Sequence, residues 1–190
     1  MDIKEVIRSR RSIRRYEDKP IPPDKLEAVF DMARLAPSAR NLQPWEFIVV
    51  QDKSTRKGIA EGCRYGSFLS ECPAIIIGCG DVQLSPKWAS SDTVIAMEHI
   101  ALAAIEEGLG TCWIGAFDEN EIRGLLRIPE NLKVIALMAI GFPDERPKPR
   151  SRKTLAEFVS YGKWGDRNQE ECGLSVEMSS ALSFRNNLEH

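Results

Sequence analysis

Histidine is almost missing from this chain, with two among 190 residues. One of them closes Leu188-Glu189-His190, which looks like the stub of a purification tag, so His99 stands alone. A His-based metal centre or a Ser-His-Asp triad would have to rest on that one imidazole. Cysteine occurs without close pairing: Cys63, Cys72, Cys79, Cys112 and Cys172 are five in number and contain no CxxC. That argues against zinc-ribbon and small disulfide scaffolds. Cys79 and Cys112 lie in apolar runs and read as buried thiols, which points to a reducing, cytoplasmic compartment. No apolar run approaches the ~20 residues a membrane span needs, and the charged start is not that of a signal peptide. An excess of one charge is lacking too. With 26 Lys and Arg against 28 Asp and Glu, the net charge of -2 disfavours a nucleic-acid binder driven by bulk electrostatics. Local basic clusters then point to small anions.

What is present, 43 % apolar and 28 % charged residues, is ordinary for one globular domain. Asp2 can cap a first helix to about Ser9, with Ile3, Val6 and Ile7 on one face. Pro23 opens a second, amphipathic helix through Leu26, Val29, Phe30, Ala33 and Leu35 or Ala36, ended by Pro37. Glu46 to Gln51 reads as a strand, too apolar at Phe47-Ile48-Val49-Val50 for a sheet edge, and Trp45 reads as core. Asp52 and Ser54 offer caps for a short helix. Ala74 to Gly80, entered through Pro73, is a second, buried strand. Ser91 to Glu107 is the strongest helix, and its apolar residues cover most of the circumference, so a second subunit is expected to cover part of it. Thr111 to Ile114 is a third strand, Asp118 caps a helix to about Leu126, Val134 to Ile140 is a fourth strand, and a short helix lies around Leu155 to Val159.

Two cationic segments stand far apart: Arg10-Arg11-Ser12-Ile13-Arg14-Arg15 and Arg146-Pro147-Lys148-Pro149-Arg150-Ser151-Arg152-Lys153. Arginine forks and a serine hydroxyl suit a phosphate. On the residues alone the segments form either one phosphate clamp or two solvated basic loops. In Pro37-Ser38-Ala39-Arg40-Asn41-Leu42-Gln43-Pro44-Trp45, the amides of Asn41 and Gln43 could match a ring with alternating carbonyls and N–H groups, or could satisfy the turn's own backbone. Gly115-Ala116-Phe117 ends a strand in small residues, allowing either close approach of a flat ligand or a tight turn. Gly78-Cys79-Gly80 after a strand lacks the third glycine of a dinucleotide fingerprint, so a Rossmann site is discounted. His99 reads as a packed or hydrogen-bonded side chain.

In this order, Arg-Arg-Ser-x-Arg-x-Tyr, Ala-Pro-Ser-x-x-Asn-x-Gln-Pro-Trp-x-Phe, the Gly108 to Phe117 stretch, and Gly-Phe-Pro followed by a Pro-Arg-x-Arg-Lys arm resemble the nitroreductase family of FMN-dependent oxidoreductases, from about Ile7 to Val159. The resemblance implies an α+β fold, a mainly antiparallel central sheet flanked by helices, in an intertwined homodimer with FMN at the interface. It implies that Arg10, Arg11 and Ser12 hold the phosphate and ribityl chain together with Arg150 and Arg152. Arg14 would approach the N1/O2 edge of the flavin. Pro37, Ser38, Asn41 and Gln43 would come from the other subunit. Gly115 would offer its N–H to flavin N5, beside Ile114 and Ala116. It further implies ping-pong transfer from NADPH or NADH to nitroaromatics, quinones or a related acceptor, with no catalytic side chain; on the composition above, no metal, nucleic-acid partner or membrane partner is expected. Other flavin chemistry (flavin fragmentation, reductive dehalogenation, enone reduction) or a carrier or sensor role is the alternative. Residues 1–164 form the expected FMN-binding domain, 165–187 an extension expected to wrap the partner, and 188–190 the tag remnant. Asp81 to Ala89 is expected to be part of a lid.

Overall fold

The computed structural model describes Met1–Arg167. The chain divides into two compact units, Met1–Lys148 and a second beginning at Pro149. The expected extension of residues 165–187 lies almost wholly outside the described residues.

In the first unit the helix signals land where capping chemistry puts them. Helix α1 (Ile3–Ser9) starts at Asp2, whose side chain accepts from Lys4 N while Glu5 reaches back to the cap. Helix α2 (Pro23–Ala33) carries Pro23 in its first turn. It stops at Ala33, short of Pro37, because the chain turns at Arg34–Ala36 before the proline can act. Asp52 caps α3 (Lys53–Glu61) through Thr55 N. Asp118 caps α5 (Glu119–Leu126) through Asn120 N and Glu121 N. The long helix α4 (Ala89–Glu106) ends against Lys25, whose Nζ donates to Glu107 O at 2.7 Å and pairs with Glu107 Oε2 at 3.0 Å. A cation there meets the carbonyl end of the helix dipole.

Strands β1 (Trp45–Val50), β2 (Ala74–Asp81), β3 (Gly110–Ile114) and β4 (Leu132–Gly141) form one sheet in the order β1-β2-β4-β3. All three pairings are antiparallel. The two-residue period of β2 divides the core between the sheet's faces. Ile75, Ile77 and Cys79 join Ile59, Leu69, Ile122 and Leu137 on the side of α3 and α5. Ala74 and Ile76 join Val29, Met97, Ile100 and Met138 on the side of α2 and α4. Each fully buried isoleucine contributes about 1.5–3 kcal/mol over the exposed state.

Gly78 and Gly80 serve packing. A Cβ at Gly80 would lie 3.0 Å from Ala89 O and from Thr93 Oγ1, and one at Gly78 would strike Met97 Sδ. Their bareness lets α4 sit directly on β2, which explains the incomplete dinucleotide pattern.

Strand β1 departs from expectation. It is an edge strand, and Phe47, Ile48 and Val49 are only half-buried. Its apolar run is explained by α2 and α4 above it, where Phe30 meets Phe47 at 5.6 Å between ring centroids. Trp45 is likewise half-buried. Helix α4 buries Thr93, Ala96, Met97, Ile100 and Ala104 within the chain and leaves the apolar Val94 and Ile95 exposed, on the part of its circumference for which a second subunit is expected. Ile3 and Ile7 of α1 are exposed as well, and only Val6 of that trio is buried. His99 on α4 is half-buried, with Nδ1 3.1 Å from Met32 O.

The described part of the second unit holds a short helix α6 (Leu155–Phe158), capped by Thr154 and Glu157. Accepting from the Thr154 backbone and hydroxyl holds the Glu157 carboxyl below its ordinary value.

Candidate functional site

The first cationic segment leaves α1 at Arg10 and runs extended along β3. Ser12 bridges Thr111 in parallel, Ile13 N donates to Thr111 O at 2.9 Å, and Tyr16 bridges Pro143 beyond β4. Extension gives a two-residue alternation. Ile13 turns inward under Gly110, where a Cβ would meet its Cγ1 at 2.6 Å. Arg10, Ser12 and Arg14 take the other parity, and all three act on the Cys112 thiol. Burial raises that thiol's pKa, while the Arg14 and Arg10 guanidiniums and a Ser12 hydrogen bond lower it. Arg11 diverges from the set, donating through Nη1 to Arg8 O and Arg10 O, both at 2.7 Å, at the end of α1.

The carboxylate of Glu145 fixes this segment from outside, accepting from Arg14 N at 2.5 Å and Arg15 N at 3.2 Å. Beside it opens a cleft of about 450 Å³, lined among others by Arg10, Arg11, Thr111, Glu145 and Arg146. Thr111 is 2 % exposed, and its Oγ1 has no partner among the described residues. A buried, unanswered hydroxyl among guanidiniums suits a phosphate or sugar oxygen, so this donor set fits the phosphate end of FMN.

Strand β3 leads from this corner to Ile114, which is buried, and to Gly115 and Ala116, which are exposed. A Cβ at Gly115 would meet nothing within 4 Å. Ala116 O accepts from Arg64 N at 3.0 Å, which brings Arg64 and the exposed Tyr65 beside the turn. The free space over Gly115 fits a flat ring laid along β3 after the phosphate.

The amide-bearing loop lies elsewhere. Pro37, Asn41 and Gln43 are exposed and Ser38 half-buried. Ser38 Oγ accepts from Gln43 N at 2.9 Å, and Gln43 Nε2 donates to Asn41 O and Oδ1 at 3.3 Å. The two amides therefore partly answer each other. Arg40, Asn41 and Gln43 hold φ of 56°, 55° and 50°, three of the four left-handed non-glycine residues among the described ones. Ala39 N donates to Asp92 Oδ2 at 3.1 Å, tying the loop to the first turns of α4. The Asp81–Ala89 segment joins this corner, since Asp81 N donates to Pro44 O at 2.8 Å. Its turn is set by the Asp81 carboxyl, which accepts from Leu84 N and Gln83 N and is held below its ordinary pKa by those bonds and Asn131. Leu84 and Trp88 stand exposed on it.

The two corners occupy opposite edges of the sheet and opposite ends of α4. At 1.5 Å per residue the 18 residues of α4 span about 27 Å. A single mononucleotide on one chain cannot reach both. In the second unit, Arg150 and Arg152 are exposed, with Arg152 Nη1 donating to Arg150 O at 3.3 Å and Ser151 O at 3.1 Å. Asp92, Glu145, Thr111 and Arg64 escaped the sequence reading. Each acts through a partner more than 50 residues away or through a missing partner, and neither leaves a local pattern. No group of three or more metal-ligating side chains occurs among the described residues.

Comparison with known proteins follows the same segments. The family model described as "Nitroreductase family" matches residues 7–65 and 65–142. A solved nitroreductase family protein from Clostridium novyi NT is 39 % identical, with 87 % of this chain and 96 % of that one covered and a TM-score of 0.73. A solved FMN-dependent nitroreductase from Clostridium difficile R20291 is 31 % identical, covering 84 % and 98 %, at a TM-score of 0.77. Among curated relatives, the FMN reductase [NAD(P)H] of Bacillus subtilis is 30 % identical over 78 % of this chain and 70 % of its own. The iodotyrosine deiodinase of Thermotoga neapolitana is 24 % identical over 77 % and 90 %. With its antiparallel sheet, its cation-lined β3 and these matches, the chain belongs to the nitroreductase family.

Proposed function

We propose that the protein is an FMN-dependent NAD(P)H oxidoreductase that reduces nitroaromatics, quinones or a related electrophile, with each FMN shared between two copies of the chain. The observation that carries the reading is the buried Thr111 hydroxyl, without a described partner, in a cleft lined by Arg10, Arg11 and Arg146. The names of the relatives, an FMN reductase and an FMN-dependent nitroreductase, support the cofactor and the donor.

FMN supplies the two-electron carriage between NAD(P)H and the acceptor. The chain's residues bind and orient. Arg10, Arg11 and Ser12 would neutralise the phosphate with charge-assisted bonds, and the exposed Arg150 and Arg152 offer cations of the same kind. Arg14 offers positive charge at the ring edge where electron density gathers. Gly115 would give the ring an N–H and, next to Ile114 and Ala116, a bare surface with room for donor and acceptor. Pro37, Ser38, Asn41 and Gln43 reach the ring from the second copy. No side chain is assigned as catalytic acid or base. The position of the two corners at opposite ends of α4, a helix about 27 Å long, supports the shared site. So do the exposed apolar side chains of Ile3 and Ile7 on α1 and of Val94 and Ile95 on α4, which a second copy would cover.

The test is the absorbance spectrum of the protein loaded with FMN, before and after NADPH or NADH. Bleaching of the visible flavin band, with recovery on adding a nitroaromatic or quinone, is expected. A protein that neither holds FMN nor binds it when added refutes the proposal. The similarity to an iodotyrosine deiodinase favours reductive dehalogenation as the second reading. Recovery with an iodophenol and not with a nitroarene would select it.

A further inference from the structure

We propose that Asp92 is a positioning residue, which holds the Ser38–Gln43 loop in its flavin-contacting shape. The inference rests on the reading that this loop contacts FMN.

Asp92 is only 5 % exposed, in the first turn of α4. A buried carboxyl needs hydrogen-bond partners, and this one reaches across 53 residues of sequence to the N–H of Ala39 at 3.1 Å. Ala39 opens the short helical turn Ala39–Asn41, which carries two of the loop's left-handed residues. Left-handed non-glycine backbone persists only where the surroundings enforce it. The bond from Gln43 N to Ser38 Oγ closes the loop on itself, and Asp81 N, donating to Pro44 O at 2.8 Å, holds only its far end. Asp92 supplies the anchor at the near end, from a stretch of α4 whose Thr93, Ala96 and Met97 are fully buried. Asp92 N also donates to Trp88 O at 2.9 Å, so the same turn of helix carries the end of the Asp81–Ala89 segment. Loop and segment thus take their places from one turn of α4.

The experiment compares Asp92→Ala, Asp92→Asn and Ala39→Pro in the full chain. Ala39→Pro removes the N–H while leaving α4 untouched, and the extended Ser38 before it (φ -141°, ψ 154°) tolerates a following proline. Two readouts are taken: amide exchange at Ala39, Asn41 and Gln43 without FMN, and the FMN dissociation constant. Asp92→Ala should speed exchange at Ala39 and raise the FMN Kd about tenfold or more. Asp92→Asn, which keeps an acceptor oxygen, should restore both to within about threefold. Ala39→Pro should weaken FMN like Asp92→Ala, and the double variant should be no worse than either single one. If Asp92→Ala does not fold, the pair Ala39→Pro and Asp92→Asn carries the test. Unchanged Ala39 exchange in Asp92→Ala, or additive losses in the double variant, overturns the inference. Faster exchange with an unaltered FMN Kd also ends the positioning role, and it refutes the loop's place on the flavin while leaving the Arg10 corner standing.

Discussion

The corner at Arg10–Tyr16 and the corner at Pro37–Gln43 are built on opposite principles. The first is ordinary extended backbone laid against a sheet, stitched by Ile13 N to Thr111 O, Glu17 N to Phe142 O and Asp144 N to Arg15 O. The second is a loop of left-handed residues closed by its own side chains and tied to α4 by one carboxyl. A charged ligand end can be met by a preformed framework, because phosphate is held by charge as much as by shape. Ring edges need amide groups at set angles, which regular structure does not present. The contrast teaches that the two corners should fail differently.

The largest expected effect is on charge. Arg10→Ala removes charge-assisted bonds of about 1.5–3 kcal/mol and should raise the FMN Kd about 10- to 100-fold in a fluorescence titration. Arg40→Ala, an exposed cation in the other corner, should change it by no more than about twofold. Equal losses would erase the electrostatic distinction. Next in size is packing. Gly110→Ala forces a methyl against Ile13 and should lower stability by about 1–3 kcal/mol in urea unfolding, with FMN affinity falling alongside. An unaltered midpoint would show that the first corner is not locked from beneath.

A third contrast is titration. Behind the first corner, burial raises the pKa of Tyr16 and pushes the Cys72 thiol from 9.0 up to about 12. Cys63 and Cys79 are likewise pushed up to about 11. Between pH 9 and 12 the folded chain then keeps protons that the unfolded chain gives up, so stability falls as pH rises through that window and is unaffected by these thiols below it. The urea midpoint should drop progressively above pH 9, and Cys72→Ala should flatten the drop. A midpoint equally steep in that variant would remove Cys72 from the account. The smallest effect concerns strain. Gln43→Gly relieves a φ of 50° and should gain at most about 1 kcal/mol of stability while weakening FMN. A gain without loss of affinity would show that the Gln43 amide is idle.

What could be read from the sequence was local. Caps at Asp2, Asp52 and Asp118 and Pro23 at a helix start are answered within a few residues, and their elements appear where those signals put them. The Arg-Arg-Ser and Ser-x-x-Asn-x-Gln motifs were likewise visible as candidates. The status of β1 was not, because an apolar run reports that something covers it and does not say whether strands or helices do so. Asp92 and Glu145 were invisible for a related reason. A carboxylate that serves a distant backbone N–H looks in sequence like any solvated acid.

The length of α4 has a genetic consequence. When two half-sites sit at its two ends and each site draws one half from each chain, a copy defective at Arg10 and a copy defective at Asn41 should rescue each other on mixing. One of the two sites in the mixed pair inherits both lesions and the other inherits none. Two inactive variants would then regain up to half of the flavin sites per dimer.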